Sequence, residues 1–147
     1  MMDILFRGRN IDGSEWVYGD LLRPNLIVLD WENDTGTRVF GLEAVAVDPN
    51  TIGIYTGFED IIGRRIFEGD IITLLDGQYS VVRFGEHQAM CPADGVFMPS
   101  VGFFVESQHC GDMPLGPTAG TADVAYTVVA GNIHDNPKLV PWFFHKD

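Results

Sequence analysis

Apolar and polar positions alternate in short runs along this chain, and glycine or proline interrupts nearly every run within a few residues. Ile4-Leu5-Phe6-Arg7-Gly8-Arg9 sets Ile4 and Phe6 on one face and Leu5, Arg7 and Arg9 on the other, the period of a strand. Asn10-Ile11-Asp12-Gly13-Ser14 is a turn, and residues 15–22 return with Trp16 and Tyr18 sharing a face opposite Val17. A second pair follows: a short apolar strand at 26–31, a turn at 32–36, and an extended stretch over 37–47. Pro49, in Asp48-Pro49-Asn50-Thr51, stops the pairing.

The middle is the most heavily punctuated part. Gly53, Gly57, Gly63 and Gly69 lie four to six residues apart, so the spacing predicts a chain of turns between two small sheets. Ile54, Tyr55, Phe58, Ile66 and Phe67 are its apolar anchors. Beyond it, residues 70–75 read as a strand, Asp76-Gly77 as a two-residue hairpin turn, and 78–84 as the partner strand. Residues 101–106 and 124–130 read as two more strands, with a Gly/Pro-rich loop over 107–122. The carboxy-terminal stretch Leu139-Val140-Pro141-Trp142-Phe143-Phe144 is unusually apolar. The expected fold is all-β, in two small subdomains. N-terminal hairpins and linking turns occupy 1–65, and a small β-barrel occupies 66–147.

Composition supports a folded domain and narrows its partners. The 147 residues are 46% hydrophobic and 12% aromatic, too apolar for a disordered chain. Nine Lys and Arg against 21 Asp and Glu give a net charge of −12, which opposes bulk binding to nucleic acid or to an anionic membrane. Two cysteines, Cys91 and Cys110, do not make a disulfide scaffold. The start lacks an apolar leader pattern, and no stretch approaches the roughly 20 apolar residues of a membrane helix. The expectation is a cytoplasmic protein with reduced thiols.

Residues 48–72, DPNTIGIYTGFEDIIGRRIFEGDII, are similar to the signature stretch of the YopX family of phage and prophage proteins. That stretch typically runs Thr-Val-Gly-Gln-Tyr-Thr-Gly, a polar turn, then Ile-Tyr-Glu-Gly-Asp-Ile-Val. FRGRNIDGSEWVYGDLL at 6–22, VVRFGE at 81–86 and GNIHDNPKLV at 131–140 fit the same family. The resemblance covers nearly the whole chain apart from 87–120. It implies an all-β protein, an SH3-like barrel in the carboxy-terminal half, and a phage or prophage origin, but no activity. Ile61 and Ile62 stand where the family has polar turn residues, and His134-Asp135 replaces Tyr-Glu. Glu68-Gly69-Asp70 has a structural reading: Gly69 lets the backbone enter a strand sharply, and Asp70 accepts from turn amides.

Candidate chemistry is thin. His87, Cys91, His109 and Cys110 fall in one irregular segment, but their spacing is poor for a tetrahedral zinc site, and no flanking signature supports a Cys–His nucleophile. Ser14, Ser80, Ser100 and Ser107 sit in no nucleophile-elbow pattern. Asp30, Glu32, Asp34, Glu59, Asp60, Glu68 and Asp70 read as turn carboxylates rather than one converging site. No metal and no cofactor are expected.

Two binding surfaces remain. Arg7 and Arg9 share a strand face with Trp16 and Tyr18 on the partner strand, a small platform for single-stranded nucleic acid or a salt-bridged, cation–π-stacked face. Trp142, Phe143 and Phe144 either close the barrel or dock on a partner, and with Ile61-Ile62 they suggest self-association. The leading expectation is a non-enzymatic protein-binding or assembly module with a protein partner or a second copy. A single-stranded nucleic-acid binder is the alternative. A small metal- or Cys-dependent hydrolase ranks third.

Overall fold

The computed structural model describes residues 4–22, 25–32, 38–74, 77–90, 93–108, 111–117 and 121–144. Twelve strands occur among them, with three single 3₁₀ turns and one four-residue helix, α1 (Pro141–Phe144). The protein is all-β. It divides into two compact units, Met1–Gly57 and Phe58–Asp147, with the boundary inside a strand.

The first sheet runs β4-β3-β2-β1-β5-β6. Strands β1 (Phe6–Arg9) and β2 (Trp16–Leu22) form the expected hairpin, with Phe6 opposite Gly19 and Arg9 opposite Trp16. The Asn10–Ser14 turn is tied by Asn10 and Asp12 side chains, which accept from the Ser14 amide at 3.0 and 2.8 Å. β3 (Leu26–Glu32) and β4 (Arg38–Ala46) form the second hairpin. Val17, Ile27 and Val47 make the buried centre of this unit.

The middle segment is more regular than a chain of turns. β5 (Gly53–Glu59) is a seven-residue strand, and β6 (Arg65–Phe67) follows a tight turn. β1 supplies the ladder for β5, pairing Phe6 with Ile54 and Arg7 with Gly53, so tertiary pairing overrides the weak strand propensity of two glycines. The turn between β5 and β6 is organised by Asp60, whose carboxylate is fully buried. It accepts from the amides of Ile62 and Arg64, from Arg64 Nε and from the amide of Val129, at 2.8–3.1 Å. Burial alone would raise its pKa; these four donors outweigh it and hold the carboxyl below the ordinary value.

The second sheet runs β11-β10-β9-β8-β7-β12. Its members are β7 (Asp70–Thr73), β8 (Tyr79–Met90), β9 (Phe97–Ser107), β10 (Gly111–Gly116), β11 (Ala122–Asp123) and β12 (Val128–Asn132). The expected loop over 107–122 therefore contains β10 and the start of β11, and Val124–Tyr126 forms a 3₁₀ turn that the Asp123 side chain caps by accepting from the Ala125 amide. Ile66, Ile72, Val82, Val105, Leu115 and Ala122 form the main buried cluster. A second cluster, Ile71, Val81 and Val140, packs against Trp142 and Phe143.

Two family-like segments have structural roles. Buried Asp70 accepts from the Phe67 amide at 2.8 Å, which locks the Glu68-Gly69 turn. Asn132 accepts from the amides of His134 and Asp135, and Asn136 Oδ1 accepts from the Asn132 amide. A Cβ at Gly131 would lie 2.2 Å from that Asn136 oxygen, so the loop closes only over glycine.

Candidate interaction surfaces

Strands β8 and β9 are much longer than their neighbours. Eleven residue pairs join them, from Ser80 opposite Ser107 to Met90 opposite Phe97. Flanking strands cover only one end of this ladder. β7 pairs with β8 over Tyr79–Val81, and β10 pairs with β9 over Phe104–Ser107. Past that point, among the described residues, the hairpin continues as a two-stranded arm.

Strand alternation decides what the arm displays. Val82, Phe84 and Glu86 of β8 share a face with Val105, Phe103, Val101, Pro99 and Phe97 of β9. At the base this face is core: Val82 and Val105 are fully buried, with Phe103 packed against them. On the arm the same face is open, with Phe84 52%, Val101 72% and Phe97 62% exposed. Phe84 meets Phe103 edge-on at 5.0 Å. The core stripe thus runs out of the sheet as a row of uncovered apolar side chains.

The arm begins at a glycine pair. Gly85 is opposite Gly102, and both hold backbone φ near +155°, a region other residues rarely adopt. With no side chain at either position, the buried ring of His87 folds back over the gap and stacks on Phe104 at 4.7 Å. Its Nδ1 lies 3.1 Å from the Gly85 carbonyl, and its Nε2 is buried with no hydrogen-bond partner among the described residues.

The arginine face forms as the alternation predicts. Arg7 is opposite Tyr18 and Arg9 opposite Trp16. The guanidinium carbons of Arg7 and Arg9 lie 4.7 and 5.1 Å from the Trp16 ring centre. Arg7 is only 6% exposed, whereas Tyr18 is exposed. The Trp16 ring is thus engaged by two cations of its own unit, and one of them is buried.

The apolar tail folds inward for the most part. Trp142 and Phe143 are half-buried against Ile71, Val81 and Val140, and Phe144 is exposed. Phe143 stacks edge-on with both neighbours, and Arg83 lies 5.5 Å over its ring while donating to Glu106 at 3.0 Å. Ile61 and Ile62 are exposed at the tip of the Asp60 turn.

The chemical candidates do not converge. Cys91, His109, Cys110 and Asp34 lie outside the described residues. Among the described residues, no group of three or more His, Cys, Asp or Glu could hold a metal ion. Ser80 and Ser107 are buried and share one 2.8 Å hydrogen bond across the β8–β9 ladder. A pocket of about 280 Å³ beside Leu74, Met113, Ala122 and Tyr126 is apolar, and smaller than most ligand sites. No described helix is long and apolar enough to cross a membrane.

The arm residues Phe84, Phe97 and Val101 were not among the sequence candidates. The signal was present: Phe97, Pro99, Val101 and Phe103 alternate after Asp94-Gly95, a hairpin-turn dipeptide. Pro99 and Gly85 obscure it, because both read as strand breakers although an open two-stranded ribbon tolerates them.

The family model of the YopX protein matches residues 5–141, nearly the whole chain. No curated protein sequence matches the chain.

Proposed function

The chain belongs to the YopX family, and from that premise we propose that it is a phage- or prophage-encoded protein-binding or assembly module. It acts in the host cytoplasm through an apolar surface rather than through a catalytic centre. One observation carries this reading: the β8–β9 arm extends the core face of its sheet into solvent with Phe84, Val101 and Phe97 largely uncovered. A contiguous apolar patch of this kind marks an interaction site.

The Arg7, Arg9, Trp16, Tyr18 face supports single-strand nucleic-acid binding less well. A stacking platform needs an open ring, and both guanidiniums already lie over Trp16. The net charge of −12 also opposes it. A mobility-shift titration with single-stranded DNA and RNA at low and high salt, run beside native mass measurement, separates the two readings. We expect no salt-sensitive shift, and a mass above that of one chain. A shift that weakens with salt and disappears in Arg9→Ala would overturn the reading.

A further inference from the structure

We infer that the Phe84, Phe97, Pro99, Val101 face of the β8–β9 arm docks face to face on the same arm of a second copy of this chain. The inference rests on the assembly reading above and names its partner and surface.

A two-stranded ribbon is marginal in water; three strands or a covering layer are needed to hold it. Here the pairing of β7 stops at Val81 of β8 and that of β10 begins at Phe104 of β9, so the arm lacks flanking strands among the described residues, and its Phe84, Phe97 and Val101 face is exposed. Yet its ladder stays in register for six pairs from Gly85–Gly102 to Met90–Phe97. The face that would receive a cover is the one that is core at the base of the same strands.

Area and charge point to a second copy. The exposed parts of Phe84, Phe97, Pro99 and Val101 offer roughly 400 Å² of apolar surface. An interface of standard size buries about 800 Å² per partner, of which a little over half is apolar. One stripe from each copy therefore supplies about the apolar share of such an interface. Residues 95–105, GVFMPSVGFFV, contain no ionisable side chain. A molecule of charge −12 meets its own copy with least repulsion along such a strip.

This arrangement has a salt signature. Repulsion between two acidic copies is screened as the Debye length falls from about 10 Å at 0.1 M to about 3 Å at 1 M. The dimer therefore tightens with salt, whereas a complex with a basic partner loosens.

Sedimentation equilibrium of the full chain at 0.05 and 0.5 M NaCl tests this, with Val101→Glu beside the parent and circular dichroism and melting checking the fold of both. We expect a dimer that tightens at the higher salt and that Val101→Glu weakens about 100-fold, because the new carboxylate would be buried unpaired. A salt-strengthened dimer that Val101→Glu leaves intact overturns this surface and keeps the assembly reading. A parent chain that stays monomeric but is cross-linked through position 97 to another protein overturns the second copy as partner, and likewise keeps that reading. A monomer whose arm captures nothing overturns both. Should Val101→Glu fail to fold, Phe97→Ser at the tip of the stripe replaces it with the same expected loss.

Discussion

Val105 and Val101 are the same residue type, four positions apart on one strand, and they point to the same side of one ladder. Val105 is fully buried and Val101 is 72% exposed. Strand pairing is common to both, so pairing alone does not create a core. The difference lies in what surrounds the ladder: at the base β7 and β10 widen it into a sheet, and Ile66, Leu115 and Ala122 join Val82 and Val105 in one buried cluster, while the arm keeps two strands. Burial in a β-protein comes from neighbours across the face, and where they stop the apolar stripe becomes a surface.

The largest effect should come from the element that closes the base unit. Asp60→Asn removes an acceptor that serves three amides and one guanidinium and leaves at least one buried N–H unpaired. Chemical denaturation should show a loss of about 3 kcal/mol. The pH dependence has a definite sign. The folded carboxyl titrates below its unfolded value of 3.8, so its contribution is complete above that value and fades as pH falls through the lowered one. Melting temperatures between pH 2 and 7 should therefore drop less steeply on the acid side in Asp60→Asn than in the parent.

The valine pair sharpens the comparison directly. Val105→Ala opens space in the main cluster and should cost about 2 kcal/mol. Val101→Ala, measured at protein concentrations low enough to keep the chain monomeric, should change stability by less than about 0.5 kcal/mol. Equal losses at the two positions would mean that the arm is covered within its own chain.

The hairpins were legible because alternation and turn dipeptides coincide: Arg7, Arg9, Trp16 and Tyr18 fall on one face as their spacing requires. Short alternating runs between glycines and prolines carried the all-β class, and the family resemblance, which the match over residues 5–141 bears out, implied the same. The β5 strand was hidden because Gly53 and Gly57 argue locally against what β1 imposes from a distance. The arm was hidden for a related reason. Pro99 and Gly85 look like breaks, and alternation cannot show where flanking strands end. The apolar tail was visible in composition, but its half-burial against Ile71, Val81 and Val140 depends on a cluster built from three separate segments.

Hydrogen exchange of the full chain at micromolar and at hundreds of micromolar concentration, read by peptide, distinguishes the base of the β8–β9 ladder from its arm. Residues 79–84 and 103–107 should be protected at both concentrations, while 85–90 and 97–102 should exchange fast when dilute and slowly when concentrated. Arm peptides that exchange at one unchanging rate across that range would contradict docking between two copies.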